Sequence, residues 1–297
     1  MATRDPISQN IDYKTLARTI SLIENESPGY EDILRQLKFS ETKVIGITGA
    51  PGAGKSSLAD ALIGEMVQHG LKAGVLCVDP SSPFNRGALL GDRIRMSAWY
   101  NNPNVFIRSL ASKGSLGGLP PKIVEITEIM KNAGFDYIII ETVGVGQSET
   151  DIASLADITV LVLVPEGGDI IQTMKAGVME IADVFVVNKY DRPDADAYYH
   201  NLKQMLAPVY AQSHKEIPVL KTIALQKEGV KELYTILTGA EFNDNSERKT
   251  ELLTEKIWQI IRDKKMRSVN KQALKDDLAK ELSDKSFNLY RFAEKYV

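Results

Sequence analysis

Residues 44–57 read VIGITGAPGAGKSS. The run Val44–Thr48 is apolar and β-branched and predicts a strand, whereas Ser56 to His69 has helical period and length. Between them, Gly49 to Ser56 match G-x-x-x-x-G-K-[ST]. Glycines at this spacing let successive backbone N–H groups turn inward around phosphate oxygens, and the following helix N-terminus adds a favourable dipole. The phosphate-facing segment is therefore Gly49, Ala50, Pro51, Gly52, Ala53, Gly54, Lys55, Ser56 and Ser57. Lys55 is placed to reach β- and γ-phosphates, and the Ser56 hydroxyl to coordinate Mg²⁺. A glycine-rich turn can match this pattern by chance, but a strand before it and a helix after it are the context the motif requires.

Working outward, six more apolar runs follow: AGVLCVD (73–79), NVFIRSL (104–110), YIIIE (137–141), ITVLVLV (158–164), VFVVN (184–188) and PVLKTIA (218–224). Several are continuous in Val, Ile and Leu, as strands are when helices cover both of their faces. Helical stretches at 121–132 and 197–211 alternate with them. The pattern predicts an α/β fold with a doubly wound, mainly parallel sheet. Upstream, residues 13–37 read as two short helices broken at Ser27-Pro28-Gly29, with Leu16, Ile20 and Ile23 on one apolar face. Downstream of Gly239 the strands stop, and residues 246–297 are charged and helical in pattern. The chain thus divides into a helical extension over 1–40, a phosphate-binding domain over 41–240 and a helical segment over 241–297. In the last, Leu252, Leu253, Ile257, Trp258, Ile260 and Ile261 form an apolar stripe, which either packs back on the core or serves as a dimerisation arm.

Composition narrows the class. A formal net charge of −3 over 297 residues leaves no basic footprint for nucleic acid. A single cysteine, Cys77, excludes an internal disulfide framework and fits a reducing compartment. The three histidines, His69, His200 and His214, lack ligand spacing for zinc. No apolar run approaches the roughly 20 residues needed to span a bilayer, and the N-terminus has no secretory h-region. The expected location is the cytoplasm, with no membrane partner.

Asn188-Lys189-Tyr190-Asp191 follows the strand VFVVN directly. An Asp carboxylate is acceptor-only, so Asp191 complements the two donors at guanine N1 and N2, a pair that adenine lacks. Asp79, Asp92 and Glu141 lie at strand ends or in loops on the phosphate side. Mg²⁺ takes oxygen ligands and keeps several waters, so one or two of these acids beside Ser56 suffice. Asp79 and Glu141 each end an apolar run, at the carboxyl edge where open α/β sheets bind ligands. Asp92 sits in a loop and reads equally as a solvated charge. Glu141 precedes Thr142-Val143-Gly144, which places the Gly144 N–H to sense a γ-phosphate. Gln147 is a candidate for orienting the attacking water and reads equally as a surface glutamine. Lys55, Glu141 and Gln147 are the candidate catalytic residues. Arg86, Arg93 and Arg95 are candidates for neutralising phosphate charge or are solvated.

Taken together, VDPSSPF (78–84), LLGDRIRM (89–96), ETVGVGQSE (141–149) and GGDIIQTMKAGVMEIADVFVVNKYD (167–191) resemble the MeaB/ArgK-type P-loop GTPases, the family of the methylmalonic aciduria type A protein. The resemblance covers roughly residues 13 to 240. It implies that Asp79, Asp92 and Glu141 are the magnesium acids and that Asn188, Lys189 and Asp191 hold guanine. It also implies a homodimer with a C-terminal helical arm. The partner it implies is an adenosylcobalamin-dependent acyl-CoA mutase, chiefly methylmalonyl-CoA mutase, whose cofactor loading the GTPase gates and whose activity it protects or restores. Adenosylcobalamin would belong to the partner; this chain would turn GTP into GDP. Gly168 to Lys175 resembles the family's third switch. Two departures stand out: Asn85-Arg86 where small residues precede Gly87, and Tyr190 where a small residue is commoner.

Two other functions of a phosphate-binding chain fit these residues less well. A metal-insertion GTPase for nickel enzymes needs Cys or His ligands, and Cys77 lies inside an apolar run. A P-loop small-molecule kinase has little need of guanine discrimination, which the N-K-Y-D tetrad supplies.

Overall fold

The computed structural model describes residues 12–79, 96–112, 118–144, 151–166, 181–213, 216–239, 246–266, 268–282 and 287–296. The chain forms two compact units, Met1–Lys249 and Thr250–Val297.

The first unit is built on a seven-stranded sheet of β1 (Lys43–Thr48), β2 (Ala73–Asp79), β3 (Val105–Ala111), β4 (Tyr137–Glu141), β5 (Ile158–Leu163), β6 (Val184–Val187) and β7 (Val219–Lys221). All pairings are parallel, in the order β3-β2-β4-β1-β5-β6-β7. Every residue of β2, β5 and β6 is buried, which is why these runs are continuously apolar rather than alternating. Helix α3 (Lys55–Gln68) packs on one face against β1, β2 and β4. Its Leu58, Leu62, Ile63 and Met66 are fully buried, each worth up to about 1.5–3 kcal/mol in apolar burial. Helix α4 (Ile123–Asn132) packs on β4 and carries α1 (Tyr13–Glu24) against it. Helix α5 (Ala195–Ser213) contributes Leu202 and Leu206 to a separate cluster with Leu161, Leu163, Phe185 and Val187.

The N-terminal helices form as the sequence predicts. Asp12 caps α1, and Leu16, Ile20 and Ile23 are its buried face. The chain turns through Gly29, at φ 87°, into α2 (Tyr30–Arg35). Helix α1 shields the edge strand β3, since Arg108 on β3 donates to Ser21 Oγ at 3.1 Å and pairs with Glu24 at 2.5 Å. Helix α6 (Val230–Thr238), which the sequence reading did not single out, packs on α3 through the cluster that includes Val230, Leu233 and Leu237.

The second unit holds most of α7 (Ser246–Met266), then α8 (Lys271–Glu281) and α9 (Leu289–Ala293). Asn270 and Asn288 cap the last two by accepting backbone N–H groups two and three residues on. Tyr296 donates to Asp277 at 2.9 Å and closes the unit on itself. Of the apolar stripe on α7, Leu252 is buried, but Ile257, Trp258 and Ile261 are 55%, 64% and 46% exposed. Among the described residues no helix is long and apolar enough to cross a membrane.

Candidate nucleotide-binding site

The carboxyl ends of β1, β2 and β4 meet at one place because β4 inserts between the other two. Glu141 is in register with Ile47 on one side and Cys77 on the other, so it stands within two residues of the ends of both strands, at Thr48 and Asp79. The Thr48 and Thr142 hydroxyls are hydrogen-bonded across this edge at 2.9 Å. The cleft above it is lined by Lys55, Ser56, Ser57, Asp79, Glu141 and Lys189, with Pro51, Gly52 and Gly54 along the loop.

The loop from β1 into α3 has the strained backbone that its glycines permit. Gly49 sits at φ 137°, and a Cβ there would lie 2.1 Å from the Val162 carbonyl oxygen. Gly144, at φ 81°, lies directly on the loop: a Cβ would be 2.1 Å from the Gly49 oxygen and 2.5 Å from Lys55 Nζ. No side chain fits at either position. Lys55 Nζ donates to the carbonyls of Gly49 at 2.8 Å, Ala50 at 3.1 Å and Val143 at 3.4 Å. These carbonyls hold the lysine over the loop, and anionic phosphate oxygens outcompete a neutral carbonyl for an ammonium.

Ser56 Oγ donates to Glu141 Oε1 at 2.6 Å, and both residues are buried, as is Asp79. Among the described residues that line the cleft, a hydroxyl and two carboxylates with no sulfur or imidazole beside them make a donor set that fits a hard cation such as Mg²⁺. Among the described residues no cluster of three or more His, Cys, Asp and Glu side chains is placed to bind a metal, and Cys77 is buried in β2. Asp92, Gln147, Arg86, Arg93, Arg95, Asn85 and the Gly168–Lys175 segment lie outside the described residues.

The base-reading tetrad follows β6. Asn188 is 2% exposed and donates from Nδ2 to the Ala53 carbonyl at 2.9 Å. Its Oδ1 accepts from Thr222 Oγ1 at 3.0 Å and from the Ala224 N–H at 3.1 Å. Asn188 therefore ties the phosphate loop to the segment after β7. Lys189 lines the cleft with φ 55°, a left-handed conformation uncommon for a residue with a side chain. Asp191, two residues further on, is exposed.

The apolar run 218–224 predicts a single strand and gives Thr222 and Ala224 no role in the site. The strand stops at Lys221: the Thr222 N–H makes the last ladder bond, to Val187, the Thr222 hydroxyl donates to Asn188, and the chain then coils through a 3₁₀ turn at Ala224–Gln226. The legible signal was a hydroxyl residue interrupting an apolar run at the carboxyl edge. Asn188→Ala strips this junction of its shared partner, leaving a carbonyl, a hydroxyl and an N–H unsatisfied in a buried place. The expected loss is about 2–4 kcal/mol of stability, measured by urea unfolding; an unchanged midpoint would show that water replaces the amide without cost.

This sheet order, with a glycine loop between β1 and α3, defines a P-loop nucleotide-binding protein. The chain belongs to the MeaB family of methylmalonyl-CoA mutase-associated GTPases, whose profile matches residues 16–283. It is a GTPase by that membership. A relative from Pyrococcus abyssi that carries a GTPase name is 45% identical over 258 residues, covering 84% of this chain and 79% of its own. A Caenorhabditis elegans protein named a mitochondrial methylmalonic aciduria type A homolog is 34% identical over 277 residues, covering 84% and 69%. A crystal structure described as a LAO/AO transport system kinase has the same fold, with a TM-score of 0.59 over 97% of this chain and 93% of its own at 23% identity.

Proposed function

We propose that this GTPase hydrolyses GTP to GDP and phosphate with Mg²⁺, and that its nucleotide state gates cofactor loading into an adenosylcobalamin-dependent acyl-CoA mutase of the methylmalonyl-CoA type and protects or reactivates that enzyme. The observation that carries the gating is the seating of Gly144 against Gly49 and Lys55. Phosphates entering the loop must draw Lys55 off its carbonyls, one of which belongs to Val143. That displacement is felt at the start of the segment after β4, where a switch needs to begin. Family membership and the name of the C. elegans relative support a mutase as the partner.

In this reading the amides of Gly49 to Ser57 hold the phosphates, and Lys55 neutralises charge between the β- and γ-groups. Ser56, Asp79 and Glu141, with Asp92, would hold Mg²⁺, which when bound stabilises charge on the phosphate oxygens. Asn188, Lys189 and Asp191 hold the base, Gly144 senses the γ-phosphate, and Gln147 orients water. The cobalamin stays with the mutase. The exposed Ile257, Trp258 and Ile261 on α7 support a homodimer in which a second copy covers them. The buried lone cysteine supports a reducing cytoplasm.

The test is GTP turnover with and without adenosylcobalamin-dependent mutases, alongside pull-downs in GDP and in a non-hydrolysable GTP analogue. A nucleotide-dependent complex and a rate rise on the order of 5–150-fold are expected, the range of ordinary allosteric coupling. Equal capture in both nucleotides with an unaltered rate would remove the mutase from this account.

A further inference from the structure

Tyr190 stands inside the proposed base-reading tetrad, between Lys189, which lines the cleft, and the exposed Asp191, and its own side chain is not among the residues that line the cleft. It turns away to bridge two other elements. Its hydroxyl donates to Asp196 Oδ1 on α5 at 2.5 Å. Lys221 Nζ, at the end of β7, lies 4.5 Å from the centres of both the Tyr190 and the Tyr199 rings, which meet edge to face at 6.1 Å. Lys221 also reaches Asp196 at 3.4 Å, closing a triangle of ring, cation and carboxylate. A lone exposed ion pair of this kind contributes little. Here the three contacts converge on one side chain, and the Tyr190 N–H donates to the Thr222 carbonyl at 3.1 Å as well.

The loop needs such an anchor. Lys189 holds φ 55° and Asp194 φ 63°, so the turn has left-handed non-glycine residues on both sides of Asp191. Conformations of that kind persist only where surrounding contacts over-determine them. Asn188 fixes the buried end of the loop; on the surface side Tyr190 anchors the residue before Asp191, and Arg192, paired with Glu166 at 3.4 Å, the residue after it. The hydrogen bond from the Tyr190 hydroxyl holds the Asp196 carboxyl below its ordinary range.

We propose that Tyr190, clamped by Asp196 and Lys221, is a positioning residue for guanine recognition that holds Asp191 in the conformation that reads the base. This rests on the assignment of Asp191 to guanine made above. A surface aromatic that only added stability would affect all nucleotides alike, whereas a clamp on Asp191 affects the donor that Asp191 reads. IDP is the discriminating probe, because its base lacks the exocyclic 2-amino group and is otherwise identical to that of GDP.

The experiment measures GDP and IDP affinities by calorimetry for the full chain and for Tyr190→Ala, Tyr190→Phe and Asp196→Ala, with melting curves in parallel. Tyr190→Ala should cut the GDP-over-IDP preference by about threefold to tenfold, the worth of one hydrogen bond. Tyr190→Phe keeps the ring under Lys221 and should retain part of the preference, and Asp196→Ala should match it. These two surface changes keep the test open if the alanine at 190 misfolds. Parallel losses for GDP and IDP, or an unchanged ratio in all three variants, overturn the clamp. If the unaltered protein itself shows no preference, or keeps it after Asp191→Asn, the base assignment has failed and the clamp falls with it.

Discussion

Lys55→Ala is expected to lower kcat/KM for GTP hydrolysis by about 10²–10³-fold, roughly 3–4 kcal/mol of transition-state stabilisation. Lys55 is buried as the first residue of α3, and its ammonium rests on three carbonyl oxygens of the loop and of Val143. Those bonds keep the charge satisfied before nucleotide arrives and aim it at the space the phosphates enter. Once there, the ammonium faces charge that grows on the oxygens during transfer, so its contribution is larger in the transition state than in the bound ground state. Arginine is not a substitute, because its planar fork is larger and cannot fit the three converging carbonyls as a point charge does. The fold is expected to survive the change, since the carbonyls released face the cleft and its water; a melting curve checks this. Hydrolysis within about fivefold of the unaltered protein, an effect of barely 1 kcal/mol, would mean that Lys55 does not contact the transferring group.

Much of this arrangement is legible in the residues, for identifiable reasons. The inner strands are visible because burial on both faces makes them near-continuous apolar runs, and β2 and β4 fall where AGVLCVD and YIIIE stand. The phosphate loop is legible because its glycines answer a local backbone demand. What joins Ser56 to Glu141 is not local. It depends on β4 sitting between β1 and β2, a pairing across 85 residues that no spacing reveals. The same holds for Asn188, whose tetrad is readable but whose bonds to Ala53 and Ala224 come from two other elements. The apolar face of α1 was visible too, while its neighbour, Arg108 on the edge strand β3, was not. Tyr190 looked like a departure within a motif, and only the structure places Lys221 and Asp196 around it.

Asp191→Asn should exchange guanine for xanthine. The carboxylate offers acceptors only, matching the N1–H and 2-amino donors of guanine; an amide replaces one acceptor by a donor, which meets the amino group badly and a 2-oxo group well. Two hydrogen bonds to a charged group are at stake, so GDP affinity is expected to fall by about 10²–10⁴-fold, and XDP affinity to rise in turn. Asp191 is exposed, so its replacement disturbs no packing, whereas Asn188, three residues before it, is 2% exposed and carries the loop's internal bonds. The recognition change is therefore separable from a folding change, which titration calorimetry with GDP, XDP and IDP reads directly. It is also separable from chemistry: the variant should hydrolyse XTP, because Lys55, Ser56 and Glu141 are untouched, while Lys55→Ala should keep its guanine preference and lose turnover. A variant that bound GDP as before would place base recognition outside the Asn188–Asp191 loop. One that bound XDP but could not hydrolyse XTP would mean that base and phosphate sites are coupled through the loop, and Asn188, bonded to the Ala53 carbonyl, is the residue through which that coupling would pass.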